Sequence, residues 1–99
     1  MSKVVTGAQI GLLMTLDTFL ERLETNKSNV FIYSTENKES MVNVWRYEGK
    51  YILTWEECPS GQQYNESTYT RDARYEFATA DELLQFLEQS GLSTESFTP

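Results

Sequence analysis

The chain has 99 residues, of which 39% are hydrophobic and 23% charged, and its formal net charge at pH 7 is −7. This length is typical of one domain with its own core, and the excess of carboxylates disfavours direct binding to nucleic acid or to anionic membranes. The single cysteine excludes an internal disulfide, and no apolar run approaches the ~18 residues of a transmembrane helix, so we expect a cytoplasmic protein.

A helix is predicted near the N-terminus. Its apolar face is formed by Leu12, Leu16, Phe19, Leu20 and Leu23, which follow helical spacing. Two starting points remain open. Thr6 and Gln9 match a capping box, whereas Gly7 and Gly11 weaken the first turn and favour a start near Thr15.

Four strands are predicted to follow this helix. Their segments are VFIYS (30–34), MVNVWRY (41–47), KYILTWEE (50–57) and STYTRDARYEF (67–77). The first is apolar on both faces, the second and third are joined by a hairpin signal at Glu48-Gly49, and a loop over 58–66 precedes the fourth.

The hairpin decides which side chains face the core. A two-residue type I′ loop would force Glu48 to a positive φ, so we expect a three-residue loop with Gly49 in the left-handed position. Trp45 then pairs with Tyr51, and odd-numbered residues of both strands face the helices. This predicted core face contains Met41, Trp45, Tyr51, Leu53 and Trp55, joined from the fourth strand by Tyr69, Ala73, Tyr75 and Phe77. The other face carries Val42, Val44 and Ile52.

A second helix closes the domain. Thr79 and Glu82 form a capping box, and Gly91 is a natural stop. Its apolar face is formed by Leu83, Leu84, Phe86 and Leu87. We therefore predict a single α+β domain over 1–92, followed by a flexible tail over 93–99. The domain is a two-layer sandwich in the order α-β-β-β-β-α, with both helices on one face of a four-stranded antiparallel sheet and the other face open.

The residues near the third strand do not form an active-site pattern. The chain has no histidine, and the neighbours of Cys58 in sequence include Glu56 and Glu57, which disfavour a thiolate. Adjacent glutamates on a strand point to opposite faces, so they do not converge on a substrate. Metal-binding and phosphate-binding motifs are lacking. We therefore expect no catalysis, no metal and no cofactor.

Protein binding is the function that these observations favour. We expect a regulator or adaptor whose partner is another protein, with a second copy of the chain as one candidate. The expected contact residues are Val42, Val44 and Ile52 on the open face and Glu57, Tyr64 and Glu66 along an acidic loop edge. The alternative is an acidic inhibitor, of the immunity type, that blocks a basic nucleic-acid-binding site on a target protein.

Overall fold

The protein folds as an antiparallel meander with a helix at each end. A computed structural model describes residues 14–62 and 65–99. Its elements are α1 (Leu16–Glu24), β1 (Asn29–Ser34), β2 (Lys38–Tyr47), β3 (Lys50–Pro59), β4 (Arg71–Phe77) and α2 (Ala80–Gln89), with 3-10 turns at Glu66–Thr68 and Thr94–Ser96. The strands lie side by side in chain order. The predicted α+β class and element order are confirmed, and both helices of the described residues are too short to span a bilayer.

Helix α1 begins directly after Thr15, whose hydroxyl accepts a hydrogen bond of 3.1 Å from the backbone N–H of Thr18. The alternative cap at Thr6 and Gln9 lies outside the described residues. A buried side chain ties the helix to the sheet, because the Asn29 amide of β1 donates to the backbone carbonyl of Phe19 at 3.1 Å. This contact holds α1 against the edge of the sheet.

The hairpin between β2 and β3 has a different register from the one predicted. Its loop contains only Glu48 and Gly49, whose φ angles are 51° and 80°, as in a type I′ turn. In the observed register Val44 lies opposite Leu53, whereas the predicted register pairs Leu53 with Asn43. The left-handed conformation of Glu48 costs about 1–2 kcal/mol. Burying the unpaired amide of Asn43 in the predicted register would cost about as much, and burial of Val44 adds hydrophobic stabilisation to the observed register. The three-residue loop was therefore wrong.

The core lies between the two helices and one face of the sheet. From the sheet it contains Val42, Val44, Tyr51, Leu53 and Trp55, and from the rest of the chain Met14, Phe19, Leu23, Leu83, Leu87 and Phe97. Tyr75 and Phe77 of β4 pack against this cluster, opposite Leu53 and Tyr51. The predicted phase was thus correct for β3 and for residues 73, 75 and 77 of β4, and that of β2 was wrong. Tyr69 was also predicted on the core face, but it precedes β4 and lines a pocket with Ile32 and Met41 of the other face.

The last residues of the chain complete this core. Phe97 is fully buried, and its ring centroid lies 5.3 Å from that of Phe19. Thr98 forms a short bridge with Val30, in which each backbone N–H donates to the other residue's carbonyl, at 2.8 and 2.7 Å. The expectation of a flexible tail over 93–99 is therefore wrong, because Phe97 fills the space between α1 and β1.

Candidate protein-binding surface

One side of the sheet has no helix of the described chain packed against it. We call it the open face. It is formed by the strand residues that alternate with the core residues: Val30, Ile32, Ser34, Glu39, Met41, Asn43, Trp45, Tyr47, Lys50, Ile52, Thr54, Glu56, Cys58, Asp72, Arg74 and Glu76. Its β1 and β2 half is mostly apolar, whereas its β4 border is charged.

The apolar half centres on Ile32, which is 69% exposed although it lies in a strand. Its cross-strand partner Met41 is half-buried. Both residues line a shallow pocket of about 350 Å³, together with Cys58 and Tyr69. An exposed isoleucine at the border of an apolar pocket is typical of a surface that another molecule covers.

Cys58 contributes a thiol to this pocket, and its environment opposes reactivity. The thiol is buried, and burial raises its pKa, with further contributions from the negative charges of Glu39 and Glu56. A thiol whose pKa is raised stays protonated and is a poor nucleophile. Cys58 therefore contributes apolar surface to the pocket, and the expectation that the protein is not an enzyme stays a prediction.

Charges on the open face differ between its two ends. At the end that carries the pocket, which we call the acidic end, Glu56 lies directly opposite Asp72 on the neighbouring strand. Like charges in this position destabilise a sheet unless a cation lies close to them. At the end near the β2–β3 turn, which we call the mixed end, Glu76 forms ion pairs with Arg74 at 3.4 Å and with Lys50 at 3.7 Å. The open face thus has an acidic end and an end with two cations.

The structure does not place the three predicted open-face residues together. Val42 and Val44 are fully buried in the core, so the prediction that they form a contact surface is wrong, as a direct result of the hairpin register. Ile52 does lie on the open face, opposite Trp45, but it is only 2% exposed. The exposed aliphatic side chain of this face is Ile32 instead, and the Tyr47 ring near the β2–β3 turn is also exposed. The two-sided apolar pattern of the first strand was the sequence signal for it.

Glu57, which was predicted to contact a partner along an acidic loop edge, is bonded within the domain instead. Glu57 points to the helix side, where its carboxylate accepts hydrogen bonds from the hydroxyls of Tyr33 and Ser40, both at 3.3 Å. Lys38 lies 3.6 Å away, and the Glu57 side chain is only 14% exposed. Glu57 is therefore neutralised within the domain. Tyr64 lies outside the described residues, and the backbone of Glu66 begins the first 3-10 turn.

Sequence reasoning also missed a contact on the helix side of the sheet. The guanidinium of Arg71 lies 3.7 Å from the centre of the Trp55 ring. It also donates to the hydroxyl of Tyr75 at 3.3 Å. Arginine over tryptophan is a favourable cation–π arrangement. Arg71 therefore supports the domain and is not part of the open face.

No protein-family model matches this chain, and no curated protein or solved structure is significantly similar to it. Among the described residues, no group of three or more carboxylate or thiol side chains is arranged to hold a metal ion.

Proposed function

We propose that the protein is a small acidic, non-catalytic binding module, a regulator or adaptor that binds a protein partner through the open face. The exposed Ile32 carries this proposal. It stands beside Met41 and the Cys58 pocket, and charged residues border this apolar area, as is common at protein interfaces. We place the module in the cytoplasm, where an unpaired thiol such as Cys58 stays reduced.

The alternative proposal is an acidic inhibitor that covers a basic site on its target. The observation that favours it is the pairing of Glu56 with Asp72, since an arginine or lysine of a target would relieve their repulsion. The two proposals differ in how binding responds to salt. A contact made by carboxylates weakens steeply as salt rises, whereas an apolar contact around Ile32 does not.

A capture experiment with matched variants tests the binding surface. The baits are the wild-type chain, Ile32→Glu on the open face, and Leu16→Glu on α1, where an apolar side chain is 46% exposed. Each bait is used at low and high salt on extracts of the source organism. We expect Ile32→Glu to lose the bound partner and Leu16→Glu to keep it, because only the first change puts a charge into the proposed contact. Circular dichroism checks that both variants fold.

Two results would contradict the proposal. Equal capture by wild type and Ile32→Glu would remove the apolar half of the open face from the contact. Capture that survives Ile32→Glu but disappears at high salt, and also in the double variant Glu56→Gln/Asp72→Asn, would favour the acidic inhibitor instead.

A further inference from the structure

We infer that the partner of the open face is a second copy of this chain, packed face to face about a two-fold axis that runs across the strands. This inference rests on the proposed function and adds the identity of the partner and the residues that pair. It is carried by the arrangement of apolar and charged residues on the open face.

Symmetry limits how two such faces meet. A two-fold axis that relates two stacked sheets lies in the plane between them. It can run along the strands or across them. An axis along the strands places β1 of one copy over β4 of the other. Ile32 would then meet the charged row of Asp72, Arg74 and Glu76, and its burial would also strip water from those charges.

An axis across the strands avoids this mismatch. It places β1 over β1 and β2 over β2, so that Ile32 and Met41 of one copy lie against the apolar half of the other. β4 is likewise placed over β4, and charged residues meet charged residues. Of the two axes, this one places the apolar half of one copy against the apolar half of the other.

The same axis also makes the charges complementary. It reverses the strand direction between copies, so the acidic end of one open face meets the mixed end of the other. When the axis crosses β4 at Ala73, Asp72 faces Arg74 of the second copy, and the contact occurs twice. Asp72 forms no ion pair within the described residues, whereas Arg74 is paired only with the exposed Glu76. A second copy therefore supplies the cation that Glu56 and Asp72 lack.

The area of the open face indicates how tightly the two copies should bind. Four strands spaced about 4.8 Å apart, with about six residues each at ~3.4 Å, present on the order of 400 Å² of sheet face per copy. This lies at the low end for specific interfaces, so we expect a dimer that dissociates in the micromolar range. Its mass should be measured up to high micromolar concentration and at low salt.

A charge exchange between residues 72 and 74 tests the pairing. Arg74→Glu would put two carboxylates together at each contact, and Asp72→Arg two guanidinium groups, so each variant alone should dimerise about tenfold more weakly than wild type. An equal mixture of the two variants should dimerise as wild type does, because residue 74 of one chain then meets a residue 72 of opposite charge at both contacts. Sedimentation equilibrium gives the dissociation constants.

Matched controls separate this pairing from net charge. Lys27→Glu lies in the loop after α1 and changes the net charge by the same amount as Arg74→Glu, and Glu88→Arg on α2 does so for Asp72→Arg. Both controls should keep the wild-type dissociation constant. Thermal unfolding shows whether each variant is folded.

The outcomes distinguish this inference from the proposed function. A wild-type chain that remains monomeric at high micromolar concentration overturns the dimer, while the capture experiment still tests the open face. A wild-type dimer that Ile32→Glu dissociates, but whose charge variants fail to recover on mixing, overturns the pairing of Asp72 with Arg74 and leaves the open face as the binding surface.

Discussion

At the scale of single residues, a tyrosine joins α1 to the β2–β3 hairpin. The Tyr51 hydroxyl donates a hydrogen bond of 2.6 Å to the carboxylate of Glu24, the last residue of α1. Arg46 lies 3.7 Å from the same carboxylate and 5.8 Å from the centre of the Tyr51 ring. The hydrogen bond to Glu24 raises the pKa of Tyr51 above 10.0, with burial and the charge of Glu24 adding to it and Arg46 opposing it.

This raised pKa predicts how stability changes in alkaline solution. Between the unfolded pKa of about 10 and the higher folded value, the folded chain holds more protons than the unfolded chain, so the free energy of unfolding falls as pH rises. The stabilisation is fully present below pH 10. Urea unfolding from pH 8 to 11 should show this fall in the wild type and a smaller fall in Tyr51→Phe.

A second variant identifies the cause. Glu24→Gln removes the carboxylate that accepts the hydrogen bond and its charge, so it should bring the pKa of Tyr51 closer to 10 and also reduce the fall. Identical pH profiles for wild type and Tyr51→Phe would contradict the assignment.

At the scale of elements, local signals predicted well where one interaction dominated. The capping box of α2 is present as expected: the backbone N–H of Glu82 donates to the Thr79 hydroxyl at 3.2 Å, and the Glu82 carboxylate accepts from the Thr79 N–H at 3.3 Å. The predicted register of β2 was wrong because the cost of a positive φ at Glu48 competed with the burial of Val44. Turn chemistry alone cannot show which of these two free energies is larger. The burial of Phe97 was not predicted because the residues that it contacts, such as Phe19, lie far away in sequence.

The strained turn can be relieved by a substitution. Asparagine tolerates the left-handed conformation, and Asn-Gly is the favoured type I′ pair, so Glu48→Asn should raise the free energy of unfolding by about 0.5–1 kcal/mol. Glu48→Gln removes the same charge but keeps the backbone cost, and it should stay within about 0.5 kcal/mol of wild type. Urea unfolding measures both. An equal gain from Gln would attribute the effect to charge.

At the scale of the whole molecule, the fold leaves one large surface for association. The helices cover one face of the sheet, and Thr98 bonds to the outer side of β1 at Val30. The other edge strand, β4, carries Asp72, Arg74 and Glu76, and charged side chains on an edge strand discourage pairing with other chains. The open face remains. From the sequence, an open face could be predicted, and the two-sided apolar pattern of β1 indicated an apolar residue on it. Identifying Ile32 as that residue required the phase of β2, with which β1 pairs.

The position of Phe97 also has a consequence for the order of folding. The four strands are joined by neighbouring turns, so the sheet can form through contacts that are close in sequence, whereas Thr98 and Val30 are 68 residues apart. Contacts across such a distance carry a large loop-closure entropy and tend to form after the transition state. We therefore expect Phe97→Leu to speed unfolding and to leave the refolding rate nearly unchanged, while Val44→Ala, within the hairpin, slows refolding. Stopped-flow measurements of the folding and unfolding rates of both variants would show whether the C-terminal segment around Phe97 packs onto a sheet that has already formed.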